Sequence, residues 1–371
     1  MKHRFEVLDI FRGIFASMVV FFHMSFFTSS PILKNNLVLN SDLCVDFFFV
    51  LSGFVITYSY QKISASSQLG SFLKKRFFRL YPLHLIMLFV FVGMEFTKQS
   101  LSSYIQVNQL NNANNNVLTF FSNLFLLHSV KLPGVTDVSW NIPSWSISAE
   151  VLCYILFGIV ALGINKVGVY KARNLVFGGI ALTALLIFYS IRGDFNLART
   201  FDYGFLRAWV GFFTGAVCFN VFSNTRDKML PVAGGVFTFF EVILVLAMIV
   251  MAYYGDYLKP WGIIYEALFF CSIYIFAFEK GFLSKLLKKS VILQKIGTYS
   301  YSIYMTHAFL LSIFNIIFFR IIKMPPGAYS YMFVVNYALI YFVSQWSYKN
   351  IELRFQLKKK KTAAGVYSPG I

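Results

Sequence analysis

The stretch Leu8–Thr28, LDIFRGIFASMVVFFHMSFFT, has the length and apolar character of a membrane-spanning helix, yet it contains an arginine and a histidine. Arg12 and His23 are eleven residues apart. At about 100° and ~1.5 Å per residue, this spacing is within about 20° of three full turns and covers roughly 16 Å of depth. Both side chains are therefore expected on one face of the helix. Because ionisable groups in hydrocarbon are costly and mark function, this face predicts a site inside a helix bundle.

The composition is that of a polytopic membrane protein. The 371 residues are 58% hydrophobic and only 13% charged, whereas soluble domains are nearer a quarter charged. The segment 117–128 is apolar but too short to span, so it is expected to be re-entrant or interfacial. Longer apolar runs predict an all-α bundle of about ten transmembrane helices, at about 8–28, 43–61, 80–97, 146–165, 174–190, 203–222, 231–253, 260–279, 297–319 and 329–348.

The 33 Lys and Arg residues are distributed unevenly over the two sides of this bundle. The terminal segments and even-numbered loops carry 23, the odd-numbered loops carry eight, and Arg12 and Arg207 lie within spans. The positive-inside rule therefore places both termini in the cytoplasm. The same distribution explains the net charge of +18 without a nucleic-acid partner. The first apolar run lacks a small-residue cleavage site, so we expect it to remain as the first span.

Three side chains in the outer half of the bundle are candidate catalytic groups. His23 suits a general base, since a partly dry pocket would keep its imidazole neutral, although a packing role is the alternative. Asp46 could orient that imidazole or pair with an arginine. Glu150 could orient an acceptor hydroxyl or pair with His23. Alternatively, Glu150 lies in the first turn of a helix and complements its dipole.

Arg76 and Arg79 lie in the sequence KKRFFRLYP, at the end of the predicted cytoplasmic loop 61–79. The planar guanidinium group suits phosphate oxygens, so this pair could bind the phosphates of a nucleotide-like cofactor. From the residues alone, the ordinary positive flank of a membrane span is the favoured interpretation of the pair.

Aromatic residues and a second histidine complete the candidate site. Trp140 and Trp145 are either interface anchors or a platform for a sugar ring. His307, with Tyr304 one turn before it, either lines the same cavity as His23 or makes a polar contact between helices. Two further features are a glycine in the second span, Gly53, which is expected to allow close approach of helices or a kink, and Arg207, to which the sequence assigns no role.

Five segments, LDIFRGIFASMVVFFH, DFFFVLSGFVIT, FLKKRFFRLYP, IPSWSISAE and YSYSIYMTHAFLL, occur in this order. Together they resemble the acyltransferase 3 family of bacterial membrane O-acyltransferases over about residues 1–350. The resemblance implies transfer of an acyl group, usually acetyl from acetyl-CoA, to a hydroxyl of a cell-envelope carbohydrate. It implies functional roles for Arg12 and His23, contact of Arg76 and Arg79 with CoA, and functional roles for the residues that match the family's Pro-Ser-Trp-Ser segment, Trp145 and Glu150.

These observations give the following expectations. Residues 1–350 form the acyltransferase membrane domain, and 351–371 form a basic cytoplasmic tail whose Lys358–Lys361 contact anionic membrane lipids. The chain resembles the stand-alone branch of the family, without an extracytoplasmic SGNH domain. It is expected in the bacterial inner membrane. His23, Glu150 and Asp46 would be catalytic, Arg12, Arg76 and Arg79 would bind acyl-CoA, and Trp145, Tyr304 and His307 would bind the carbohydrate acceptor, lipid-linked or not.

No metal is expected, because a thioester is already activated. The alternative function is a transporter or flippase for a lipid-linked glycan or small solute. Inverted repeats with broken spans would favour that alternative, and none is evident in the sequence.

Overall fold

The computed structural model of the protein describes residues 4–104 and 112–356. The described part of the chain is a bundle of α-helices, which confirms the predicted fold class. Residues 357–371, with Lys358–Lys361 of the predicted basic tail, lie outside the described residues.

Ten principal helices make up the bundle: α1 Glu6–Ser25, α2 Cys44–Tyr60, α3 Ser66–Leu101, α4 Trp145–Val167, α5 Arg173–Arg192, α6 Gly204–Met229, α7 Gly234–Tyr253, α8 Ile263–Phe276, α9 Val291–Asn315 and α10 Phe333–Ser347. Eight helical stretches of the described residues are long and apolar enough to cross a membrane. The other two predicted spans correspond to α8 and α10, which are shorter, with 14 and 15 residues. The short apolar segment contains an eight-residue helix, Val117–Leu124, too short to span.

One predicted loop is wrong. The segment 61–79 was expected to be a cytoplasmic loop, but α3 begins at Ser66 and continues for 36 residues. The segment SFLKKRFFRL, residues 71–80 of this helix, contains no Gly or Pro and six good helix formers (Leu, Lys and Arg), so the helix extends beyond the apolar span. Pro82 lies within α3 without ending it. Arg76 and Arg79 are consequently held on a helix.

Two helix crossings at glycine fix the centre of the bundle. Where α2 crosses α6, a Cβ on Gly53 would lie 1.8 Å from the Phe212 carbonyl oxygen, and one on Gly215 would lie 1.8 Å from the Val50 carbonyl oxygen. Gly53 therefore allows the close approach of helices that its position predicted, since any side chain at either glycine would separate the two backbones.

The second crossing joins α1 to α9. A Cβ on Gly13 would lie 2.4 Å from the Gly297 nitrogen, and one on Gly297 would lie 2.4 Å from the Asp9 carbonyl oxygen. This contact brings the face of α1 that carries Arg12 directly against α9. The crossing thus supplies one wall of the site described below.

Burial distinguishes the central helices from the peripheral ones. The apolar window of α6 is 72% buried within the bundle, whereas that of α7 is 17% buried. Apolar side chains on the outside of α7, such as Phe239 and Leu246, are 61% and 55% exposed. A helix this apolar on its exposed face is suited to contact with lipid, so α7 lies at the periphery and α6 at the centre.

Candidate active site

A cavity of about 120 Å³ lies between α1, α2, α3, α4 and α9. It brings together three arginines, a carboxylate and several hydroxyl groups in the interior of the bundle. Its polar lining residues are Arg12, Ser52, Arg76, Arg79, Ser146, Glu150, Tyr154, Ser300, Tyr301 and Tyr304. Five residues of this set were predicted from the sequence as candidate groups, namely Arg12, Arg76, Arg79, Glu150 and Tyr304.

Arg12 is fixed against α9. Its Nε donates to Ser300 Oγ at 2.8 Å, and its Nη2 donates to the Gly297 carbonyl oxygen at 3.2 Å and lies 3.3 Å from Asp9 Oδ1. His23, further along α1, packs against His307 of the same helix α9. The prediction that Arg12 and His23 share one face is therefore confirmed.

Arg76 and Arg79 lie one turn apart on α3 and both line the cavity. The Arg76 guanidinium is buried and lies over the rings of Tyr60, at 5.1 Å, and Tyr154, at 5.9 Å. Its Nε has no hydrogen-bond partner among the described residues. A buried, unpaired donor on a cation is costly, so this position suits an anionic ligand that accepts a hydrogen bond.

Glu150 forms the acidic side of the cavity. It accepts hydrogen bonds from Ser52 Oγ at 2.8 Å and from the Tyr154 hydroxyl. The predicted alternative in which Glu150 pairs with His23 is not observed. The helix-dipole interpretation is also wrong, because α4 begins at Trp145 and places Glu150 beyond its first turn.

Tyr304, His307 and His23 form a row that leads away from the cavity. Tyr304 lines the cavity and accepts a hydrogen bond from Ser146 Oγ at 3.0 Å. The ring of His307 lies 5.9 Å from that of Tyr304 and 5.0 Å from that of His23. His23 itself is not among the cavity-lining residues. The two histidines thus stand next to each other beyond the Tyr304 wall.

The hydrogen bonds of His307 define which of its nitrogens is available. Its Nδ1 donates to the Tyr304 carbonyl oxygen at 2.7 Å, since a carbonyl only accepts. The other nitrogen, Nε2, is buried and has no partner among the described residues. In the neutral ring, Nε2 therefore carries a free lone pair that can accept a proton or hydrogen bond.

Asp46 does not orient His23. Both of its carboxylate oxygens pair with Arg207, at 2.6 Å to Nε and 2.9 Å to Nη2, because an in-membrane arginine requires a nearby anion. The Arg207 guanidinium also lies over the Trp145 ring at 5.3 Å. Trp145 is 6% exposed and stands outside the cavity, so this pair holds it in the protein interior. Trp145 is not a ready platform for a sugar in this arrangement.

The sequence interpretation missed several residues of the cavity. Tyr154 and Ser52, which bind Glu150, were not singled out, although Tyr154 follows Glu150 by one helical turn. The pairing of Asp46 with an arginine, one of the two alternatives that the sequence left open, is confirmed, but Arg207 was not identified as its partner, although each is a charge in an apolar span that lacks a local partner.

Comparisons with known proteins identify the family to which the chain belongs. The family described as "Acyltransferase domain", acyltransferase 3, matches residues 5–345. A curated relative, "Protein 2 in picA locus" of Rhizobium radiobacter, is 42% identical over 88 residues, which are 23% of this chain and 42% of that protein. No solved structure matches the chain. Because the family match covers nearly the whole described bundle, the chain belongs to the acyltransferase 3 family of integral-membrane acyltransferases.

Proposed function

We propose that this membrane acyltransferase moves an acyl group, in the simplest case acetyl, from cytoplasmic acyl-CoA to a hydroxyl of a cell-envelope carbohydrate. The observation that carries the proposal is the shared cavity. Three arginines from α1 and α3 line this cavity together with Glu150. Tyr304, which also lines the cavity, lies beside His307, and His307 lies beside His23. We place the enzyme in the bacterial inner membrane, in the orientation that the positive-inside rule gives.

The donor is proposed to bind through the arginines. CoA is polyanionic, and guanidinium groups bind phosphate oxygens with directional, charge-assisted hydrogen bonds. The unpaired Nε of buried Arg76 supports this assignment, because an oxyanion would satisfy it. Arg12 and Arg79 complete a cationic surface in the same cavity. To reach the histidines, the acyl thioester must extend from this cavity past Tyr304.

The transfer step follows from the chemistry of a thioester. The acceptor oxygen attacks the carbonyl carbon, so a C–O bond forms, the C–S bond breaks and CoA leaves as a thiolate. The proton of the attacking hydroxyl passes to the His23 imidazole and is then returned to the thiolate, which restores the neutral base. His307 lies beside His23, and its Nε2 has no partner among the described residues. We propose that it contacts the acceptor carbohydrate or His23.

The function is tested by transfer of radiolabelled acetyl groups. Membrane vesicles that contain the protein are supplied with [¹⁴C]acetyl-CoA, and label is measured in isolated envelope glycan. Incorporation that depends on the protein supports the proposal. Translocation of a glycan without any incorporated label would instead support the transporter alternative, which family membership disfavours.

A further inference from the structure

A second and larger cavity lies at the opposite, outer end of the bundle. It is a groove of about 1170 Å³ between the C-terminal halves of α3 and α9 and the segment that follows α1. This volume slightly exceeds the ~300–1,000 Å³ that is typical of small-molecule sites. We call it the outer groove; its lining includes Phe26, Val90, Met94, Lys98, Phe309 and Arg320.

The inner end of the outer groove adjoins the histidine pair. Phe26 lines the groove and its ring centroid lies 6.3 Å from that of His23. Neither His23 nor His307 is among the groove-lining residues, so Phe26 marks where the groove approaches the histidine pair. The groove therefore extends from the neighbourhood of the proposed proton acceptor toward the outer surface.

The outer end of the groove carries positive charge. Lys98 is paired with Glu95 at 2.9 Å, so its charge is largely compensated. Arg320 lies over the ring of Phe319 at 5.4 Å and has no ion pair with an acidic side chain among the described residues. It lies on a π-helical turn, Ile316–Ile321, a distortion that occurs frequently at functional sites. Among the groove-lining residues that the structure describes, Arg320 is thus the cation without an acidic partner.

The separation of the two ends defines what the groove can bind. Arg320 follows His307 by 13 residues, which is about 20 Å along a helix. A lipid phosphate bound at Arg320 would place its hydrocarbon chain, not its sugar, down the groove toward His23. A glycan that enters from outside places a hydroxyl at His23 and its other sugars toward Arg320.

We propose that the outer groove is the acceptor site and that Arg320 selects acidic oligosaccharides, with a carboxylate about 20 Å from the hydroxyl that is acylated. This inference rests on the proposed function, which it deepens by naming the acceptor class. Thr97, Ser312 and Asn315 line the groove and supply hydrogen-bonding groups to the sugars. A guanidinium bound to a carboxylate makes directional, bidentate hydrogen bonds, which explains selection by charge.

Binding is measured separately from transfer. The full chain is placed in zwitterionic phosphatidylcholine nanodiscs, and equilibrium binding of a fluorescent uronate-containing oligosaccharide is compared with that of its carboxyl-reduced, neutral counterpart. We expect the acidic sugar to bind about tenfold more tightly, as for one charge-assisted hydrogen bond. Arg320→Gln should abolish this preference, whereas Lys34→Gln, which removes an exposed charge outside the groove lining, should preserve it.

A second pair of variants tests the location. A Cβ on Gly93, which lines the groove, or on Gly163, which does not, meets no atom within 4 Å. Gly93→Leu should place a side chain in the groove and weaken acidic-sugar binding, while Gly163→Leu should not. Both should leave the KM for acetyl-CoA unchanged.

Three results would overturn the inference. They are equal binding of the two sugars, retention of the preference in Arg320→Gln, and displacement of the sugar by a sugar-free polyprenyl phosphate, which would make the groove a lipid site. Failure of the proposed function is distinguishable from these, because selective sugar binding without any acetyl transfer supports the groove assignment and contradicts the reaction.

Discussion

The imidazole rings of His23 and His307 lie 5.0 Å apart, and His307 stands between His23 and the Tyr304 wall of the cavity. The two histidines come from α1 and α9, whose backbones touch at Gly13 and Gly297. The close crossing therefore sets the relative position of the two rings. It makes His307 a partner of the proposed base.

His23→Ala should abolish acetyl transfer while the protein still inserts and binds donor. The imidazole is the proposed proton acceptor, and loss of a general base typically costs about 10²–10⁴-fold in rate. The measurement is transfer of label from [¹⁴C]acetyl-CoA, normalised to the amount of folded protein. Normal transfer by a well-expressed His23→Ala protein would remove His23 from the mechanism.

His307→Gln should reduce kcat more than it raises the KM for the donor. Glutamine retains hydrogen-bonding groups but not the imidazole, and the His307 ring lies beside that of His23 and is not among the residues that line the arginine cavity. Steady-state kinetics with varied acetyl-CoA separates the two parameters. A rise in KM alone would place His307 in donor binding.

Arg76→Lys combined with Arg79→Lys should raise the apparent KM for acetyl-CoA about tenfold. Lysine keeps the charge but loses the planar fork that binds phosphate oxygens. Lys74→Ala is the matched control, because Lys74 lies on the same helix, is exposed and does not line the cavity. An unchanged KM in the double variant would show that the two arginines do not bind the donor and would support their interpretation as the positive flank of a membrane span.

Asp46→Asn should destabilise the fold strongly, by about 3–5 kcal/mol, because it leaves the Arg207 charge buried and uncompensated. The double variant Asp46→Leu, Arg207→Leu should recover much of that loss, since both charges are then absent. Thermal unfolding in detergent measures both effects. Equal destabilisation by the single and double variants would show that the ion pair is not the cause.

Gly215→Ala should also be destabilising, because the added Cβ would meet the Val50 carbonyl oxygen at 1.8 Å and force α2 and α6 apart. Gly163→Ala provides the control, since a Cβ there meets no atom within 4 Å. Comparison of the two melting temperatures tests the crossing. A Gly215→Ala protein as stable as its control would contradict the close backbone contact.

The sequence was sufficient where a physical rule acts locally. Apolar length predicted the membrane helices, and helical spacing predicted the common face of Arg12 and His23. The sequence could not identify contacts between residues that are far apart in the chain. Asp46 and Arg207 are 161 residues apart, and only the packing of α2 against α6 brings them together. The same packing buries Trp145, which the motif alone presented as accessible.

The start of α3 shows a second limit. Hydropathy marks where a helix meets lipid, but it does not mark where the helix begins. Residues Ser66–Arg79 are helical, although hydropathy alone does not identify them as part of the helix. Because Arg76 and Arg79 lie on a helix rather than in a loop, their backbone is held more rigidly for binding a ligand.

The helix α3 is 36 residues and about 54 Å long. Its N-terminal half carries Arg76 and Arg79 of the cavity, and its C-terminal half carries Val90, Met94 and Lys98 of the outer groove. One continuous helix thus lines both cavities. If binding of one substrate shifts α3, it changes the affinity for the other substrate. Thermodynamic linkage requires the two ligands to change each other's affinity by the same factor.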